Sequence, residues 1–140
     1  MTSTTLAQSY LVKATKRLKV LPVLMAEQAF SDVVREAQEI VELALKGMLR
    51  QVGIEPPKWH DVGQMLEQHR DRFRPEVGQH MARLTEASRW LRKEREFSFY
   101  GDVDFIPTDQ YKDADGRRAV ADAEFVVGVA RTVIDPAARG

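Results

Sequence analysis

Between Glu27 and Val52 the apolar residues return every three or four positions: Phe30, Val33/Val34, Ala37, Ile40/Val41, Ala44/Leu45, Met48/Leu49 and Val52. A strand would alternate with period two, so this recurrence commits the segment to an amphipathic helix of about seven turns. The opposite face carries Arg35, Glu39, Glu42, Lys46 and Arg50. Glu42 precedes Lys46 by four residues, the favourable order, and a solvated pair of this kind is worth about 0.3 kcal/mol. Gly53 stops the helix and Pro56-Pro57 seals the stop. A stripe this long must be buried against other elements, which turns the rest of the chain into a search for its partners.

The partners are also helices. One is predicted from about Thr5 to Val20, with Leu6, Tyr10, Ala14 and Leu18 on one side, and Pro22 disfavours its continuation. Asp61 is a candidate N-cap for a short helix reaching Arg72 that carries Val62, Met65 and Leu66. Pro75 suits the first turn of the next helix, whose stripe Val77, Met81, Leu84, Ser88 and Leu91 runs toward Tyr100. Gly101 to Tyr111 reads as a loop. The last helix spans roughly Asp113 to Ile134, burying Ala119, Ala123, Val126/Val127, Ala130 and Val133/Ile134, and Pro136 ends it. Short connections between long amphipathic helices predict an all-α fold, an antiparallel up-and-down helical bundle of four to five helices. Residues 1–140 form one domain, since a chain of 140 residues buries one core and not two.

Composition narrows the functional classes. With 44% hydrophobic and 30% charged residues the chain belongs with globular proteins rather than disordered ones. Lys+Arg and Asp+Glu are both 21, so no overall field draws nucleic acid or a membrane surface. The lack of cysteine removes disulfides, thiol nucleophiles and thiolate metal sites. No stretch approaches the ~20 apolar residues of a membrane span. The first twenty residues place their positive charges after their apolar ones, the reverse of a secretory signal. A cytoplasmic location is therefore expected. Charge is uneven: Lys13, Lys16, Arg17 and Lys19 cluster before any acid, while Asp102 to Glu124 is acidic. These are either solvated faces or complementary surfaces for a second subunit.

Chemistry-bearing residues are few. His60, where a loop enters a helix, could orient a ligand, act as a base or simply cap and pack; His69 and His80 read as surface positions. HExxH, GxxxxGK, GxSxG and GxGxxG are all absent from the sequence. The most unusual run is Arg89 to Asp102. Extending the stripe 77/81/84/88/91 by one turn lands on Arg95 and then Ser98, which places a guanidinium on the inward face. Either it snorkels to water or it takes a partner, with Glu39, Glu42, Glu96 and Asp102 as candidates. The functional reading is a cleft or subunit-interface site around Arg95, with Tyr100 and Asp102 nearby.

Three pieces of sequence, in this order and spacing, resemble the HEPN family (higher eukaryotes and prokaryotes nucleotide-binding domains). They are REAQEIVELALKGMLRQVGIEPPKWHDVGQML (Arg35–Leu66), LRKEREFSFYGD (Leu91–Asp102) and RAVADAEFVVGVA (Arg118–Ala130), and the likeness runs from about Leu6 to Ile134. It implies an antiparallel helical bundle, commonly a homodimer and often encoded beside a minimal nucleotidyltransferase. It also implies kinship with the helical C-terminal part of kanamycin nucleotidyltransferase, where the bundle helps form a nucleotide or substrate site. Many members are metal-independent ribonucleases using an Arg, four to six residues, then a His at the end of a late helix. Arg95 fits the arginine position, but after four residues stands Tyr100, and a phenol, which ionises at about pH 10, is a poor base at neutral pH. Arg74 and His80 also have five residues between them, but they straddle Pro75 at a helix start and read as a chance match. The resemblance thus implies a non-catalytic dimeric module that binds a nucleotide-like ligand, a nucleotidyltransferase partner, or both, with no cofactor and no metal. Lys46, His60, Arg92, Arg95, Tyr100 and Asp102 are the candidate ligand-binding residues: Arg95 and Lys46 to hold phosphate, Tyr100 to stack or hydrogen-bond. The alternatives are a metal-independent ribonuclease of toxin type and a purely structural interaction domain.

Overall fold

A computed structural model describes residues 3–56, 58 and 61–134, and within them the long amphipathic segment is the axis of the molecule. Among the described residues the helices are α1 (Ser3–Leu18), α2 (Leu21–Ala26), α3 (Phe30–Gln51), α4 (Val62–Gln68), α5 (Pro75–Gly78), α6 (Met81–Phe99), α7 (Pro107–Gln110) and α8 (Asp113–Val133), with a 3-10 turn at Arg70–Arg72. The fold is an all-α helical bundle. Its four long helices alternate in direction. Arg17 meets Glu36 while Tyr10 approaches Gly47, so α1 and α3 are antiparallel. His80 meets Phe125 while Trp90 meets Arg118, so α6 and α8 are antiparallel too. Phe30 lies by Gly116 and Gly47 by Ile134, which makes α3 and α8 a parallel, diagonal pair.

That diagonal contact exists because the facing residues are small. Ala37 and Ala44 of α3 and Ala119, Ala123 and Ala130 of α8 are wholly buried, so the two backbones come close and α3 packs against α1, α6 and α8 at once. A Cβ on Gly47 would stand 2.9 Å from Ile134 Cδ1 and 3.4 Å from the Ala7 carbonyl. Its hydrogen is what lets α1 and the end of α8 share one side of α3.

Surrounded in this way, α3 has no open polar face. Of its 22 residues only Asp32 is exposed, and the expected solvated face is half-covered. Glu42 and Lys46 stand 3.8 Å apart, each side chain 28% exposed. Glu36 instead takes a hydrogen bond from Arg17 of α1 at 2.7 Å, which holds that guanidinium's pKa above its usual value. The helix stops as expected: Gly53 takes φ +82, its N–H donates to the Arg50 carbonyl at 3.1 Å, and the Ile54 N–H donates to Leu49 at 2.9 Å.

Proline accounts for most departures from the expected boundaries. Pro22 opens α2 rather than merely ending α1, because N–H groups of a first helical turn have no partner to lose. Pro107 likewise starts α7 inside the segment expected to be loop. The helix expected to reach Arg72 ends at Gln68 and passes into the 3-10 turn, which brings Phe73 into the core at 9% exposure. The helix begun by Pro75 lasts one turn before α6 starts afresh at Met81. Pro57, His60 and Pro136 lie outside the described residues.

Candidate functional site

The α3–α6 seam is where charge meets a concave surface. Arg92 and Arg95 are three apart on α6, so they stand as neighbours on one face. Leu91 and Ser98 on either side point wholly inward. The stripe extended through Arg95 is half right: Ser98 is buried and its hydroxyl donates to the Arg95 carbonyl at 2.9 Å, while the Arg95 side chain keeps 43% of its surface and turns to Glu39, Nη2 to Oε1 3.2 Å. Of the expected partners it meets Glu39, while the side chain of Glu96 lies outside the described residues. One turn earlier on α3, Arg35 places Nε 3.7 Å from the same Glu39 oxygen and its guanidinium 4.9 Å from the centre of the Phe99 ring.

Arg35, Arg92, Arg95 and Tyr100 line a pocket of about 420 Å³, within the range that holds small ligands. Its charge is unbalanced. Glu39 serves two guanidiniums. Among the described residues Arg92 pairs with Asp61, at 4.0 Å, whose Oδ1 already accepts from the Gly63 N–H at 2.9 Å, as the N-cap of α4, and from Ser88 Oγ at 3.4 Å. Three guanidiniums carry about fifteen N–H donors, and among the described residues Glu39 and, at its margin, Asp61 are the carboxylates that answer them. An oxyanion could engage them too, by charge-assisted paired hydrogen bonds. Behind Arg92 a crevice of about 10 Å³ is bordered by Gln38, Glu42, Ser88 and the arginine itself. Gln38 is 5% exposed and donates to Glu42 at 3.4 Å, while its Oε1 has no hydrogen-bond partner among the described residues.

The rim is aromatic and open. Tyr100 is 72% exposed and stands edge-on to the half-exposed Phe99, ring centres 4.8 Å apart. Past it the chain turns at Gly101, φ +66, where any Cβ would collide with the Phe105 carbonyl. The Asp102 and Phe105 backbones then pair in both directions at 3.0 Å. The loop is fastened from beneath by Tyr111, buried to 5%, whose hydroxyl donates to Glu94 Oε1 at 2.9 Å. Burial, reinforced by that carboxylate, pushes the Tyr111 phenol well above its ordinary pKa.

Arg92, Arg95 and Tyr100 are therefore brought together. Asp102 is not among the pocket's residues: its carboxylate accepts the Asp104 N–H at 2.8 Å and shapes the turn. Lys46 is eleven residues beyond Arg35, about 16 Å along α3, and pairs with Glu42 there. His60 lies outside the described residues. Two residues escaped the sequence reading. Arg35 was legible only as part of a polar face, although its position one turn before Glu39 was the available signal. Tyr111 lay at the end of a predicted loop, and nothing in its neighbours marks it as an anchor.

At the other end of α6, about 27 Å away, Arg74 and His80 border one open groove of about 500 Å³ with Glu124, Phe125 and Thr132. Arg74 Nη2 donates to the Thr132 carbonyl at 2.7 Å, and the imidazole packs edge-on to Phe125 at 5.3 Å. Among the described residues no three His, Asp or Glu side chains gather as a metal site would need, and no helix is long and apolar enough to cross a membrane.

Compared with known proteins, residues 7–135 match the family model described as HEPN domain. No curated protein and no solved structure gives a significant match.

Proposed function

From the premise that this chain belongs to the HEPN domain family, we propose that it is a non-catalytic, dimeric binding module for a nucleotide-like ligand. Membership supports a module of nucleotide-binding or ribonuclease type in general. One observation carries the narrower reading: three arginines, with few carboxylates to pair them among the described residues, converge on a pocket beside an exposed tyrosine. In this reading Arg92 and Arg95 hold phosphate oxygens and Tyr100 stacks on a base. Catalysis is left out because Tyr100 stands where the family's ribonucleases carry histidine, and any nucleotidyl transfer belongs to a separate minimal nucleotidyltransferase acting as partner. The dimer is proposed at the pocket's rim, where Phe97, Phe99, Tyr100, Val103 and Ile106 are all exposed at one end of the molecule.

The test is thermal melting with a panel of nucleotides, beside Arg95→Ala. A ligand at a hundred times its dissociation constant adds about 2.7 kcal/mol to the folded state. A shift in wild type that is lost in the still-folded variant is the expected result. No shift with any nucleotide would turn the reading to a purely structural interaction domain.

A ribonuclease alternative at Arg74 and His80, whose spacing reads as chance in the sequence, is favoured by one finding, the groove the two residues share. It requires cleavage of single-stranded RNA in EDTA buffer that disappears in His80→Ala. RNA left intact by the wild type ends it.

A further inference from the structure

The geometry points to a nucleoside carrying two or more phosphates as the ligand of the arginine pocket, with Glu39 as a built-in competitor for its guanidiniums; this rests on the reading of that pocket as a nucleotide site. Glu39 Oε1 stands 3.2 Å from Arg95 and 3.7 Å from Arg35. It is the acid on α3 that faces both. Its carboxylate has the charge and two-oxygen geometry of one edge of a phosphate, and it lies where a phosphate would bridge the two helices. A ligand must therefore outbid a resident carboxylate. A single phosphate that takes over the Arg35 and Arg95 edges gains little beyond what Glu39 already supplies. A second phosphate adds oxygens that reach Arg92, whose contact with Asp61 at 4.0 Å is too long for a hydrogen bond.

The three guanidiniums come from two helices. Arg92 and Arg95 are one turn apart on α6, and Arg35 faces them from α3, held against Phe99 at 4.9 Å. A chain of phosphates offers these guanidiniums more oxygens than one tetrahedral anion does. The pocket's 420 Å³ and the open Tyr100 ring leave room for a base beyond the phosphates. Arg92 is thus a specificity residue for the second phosphate and Glu39 a charge filter against weakly anionic ligands.

Isothermal titration of the purified protein with adenosine, AMP, ADP, ATP and inorganic tripolyphosphate tests this, with circular dichroism confirming that each variant folds. ADP and ATP are expected to bind at least about tenfold more tightly than AMP, with adenosine not measurable. Arg92→Ala should erase most of the ADP-over-AMP preference; Arg92→Lys, should the alanine variant unfold, should reduce it. Glu39→Gln should tighten ADP several-fold, roughly three to ten, an effect no merely structural role for Glu39 would give. Equal affinity for AMP and ADP overturns the inference while leaving the nucleotide site standing. Tripolyphosphate binding as tightly as ATP removes the nucleoside from it. No binding of any of these by wild type or Glu39→Gln overturns both the inference and the reading beneath it.

Discussion

Arg95 illustrates how a single side chain can be misplaced by periodicity yet found by chemistry. Helical phase puts it inward, but a guanidinium in a dry core loses hydration that one carboxylate does not restore. It therefore leans along the seam to Glu39, keeping 43% exposure. A pair this open contributes only about 0–1 kcal/mol, so Arg95→Ala is expected to change the melting temperature little while abolishing the ligand-induced shift. Tyr111 is the opposite case, a polar group whose role is structural. Its phenol is buried against Glu94 and resists ionisation in the folded state. The folded pKa lies above the unfolded one, so the stability from neutral Tyr111 is full below about pH 10 and declines as pH rises beyond it. Tyr111→Phe is expected to lower stability at pH 7 by about 1–2 kcal/mol, the loss of a hydrogen bond to a charged acceptor. The gap between the two proteins should narrow between pH 10 and 11 in melting curves. A gap that widens with pH would show the phenol is not held neutral.

At the scale of elements, α3 explains both what was legible and what was not. Its apolar stripe is so regular that its extent, its Gly53 stop and its buried residues could be read directly. What the stripe cannot reveal is that α1 and α6 also cover its polar face, Arg17 on Glu36 and Arg95 on Glu39. Whether a glutamate on that face meets water or a guanidinium depends on how closely α1 and α6 approach, which for α1 is set by Gly47. Gly47→Leu places a branched side chain against Ile134 and the α1 backbone, and a cost of about 2 kcal/mol is expected from overpacking. Urea unfolding with an unchanged slope would measure it, and a neutral variant would refute the close approach. The candidate site divides along the same line. Arg92, Arg95 and Tyr100 lie within one turn or two of each other in sequence, so local reasoning grouped them. Arg35 comes from another helix, and Lys46 and Asp102 were drawn in by charge alone, without the register that separates them. Pro22 was read as a stop and Pro107 as loop, yet both open short helices, as Pro75 was expected to do.

The whole molecule has two unlike ends. One, where α3 begins and α6 finishes, is basic in its pocket and aromatic at its rim; the other holds the Arg74–His80 groove. An exposed set that includes Val103 at 92% and Tyr100 at 72% is more than a monomer needs to leave in water. Light scattering at low micromolar concentration is expected to give twice the 15.9 kDa of one chain, and Val103→Asp is expected to return the single-chain mass. A wild-type peak near 15.9 kDa would refute the dimer.

The most direct measurement is a nuclear magnetic resonance titration of the labelled protein with ADP, following backbone amides. Binding at the arginine pocket should move the amides from Arg35 to Glu39 and from Arg92 to Gly101, and leave those of Arg74 to Met81 and Gly128 in place. Shifts confined to the Arg74–His80 end, or no shifts at millimolar ADP, would contradict a nucleotide site on the α3–α6 seam.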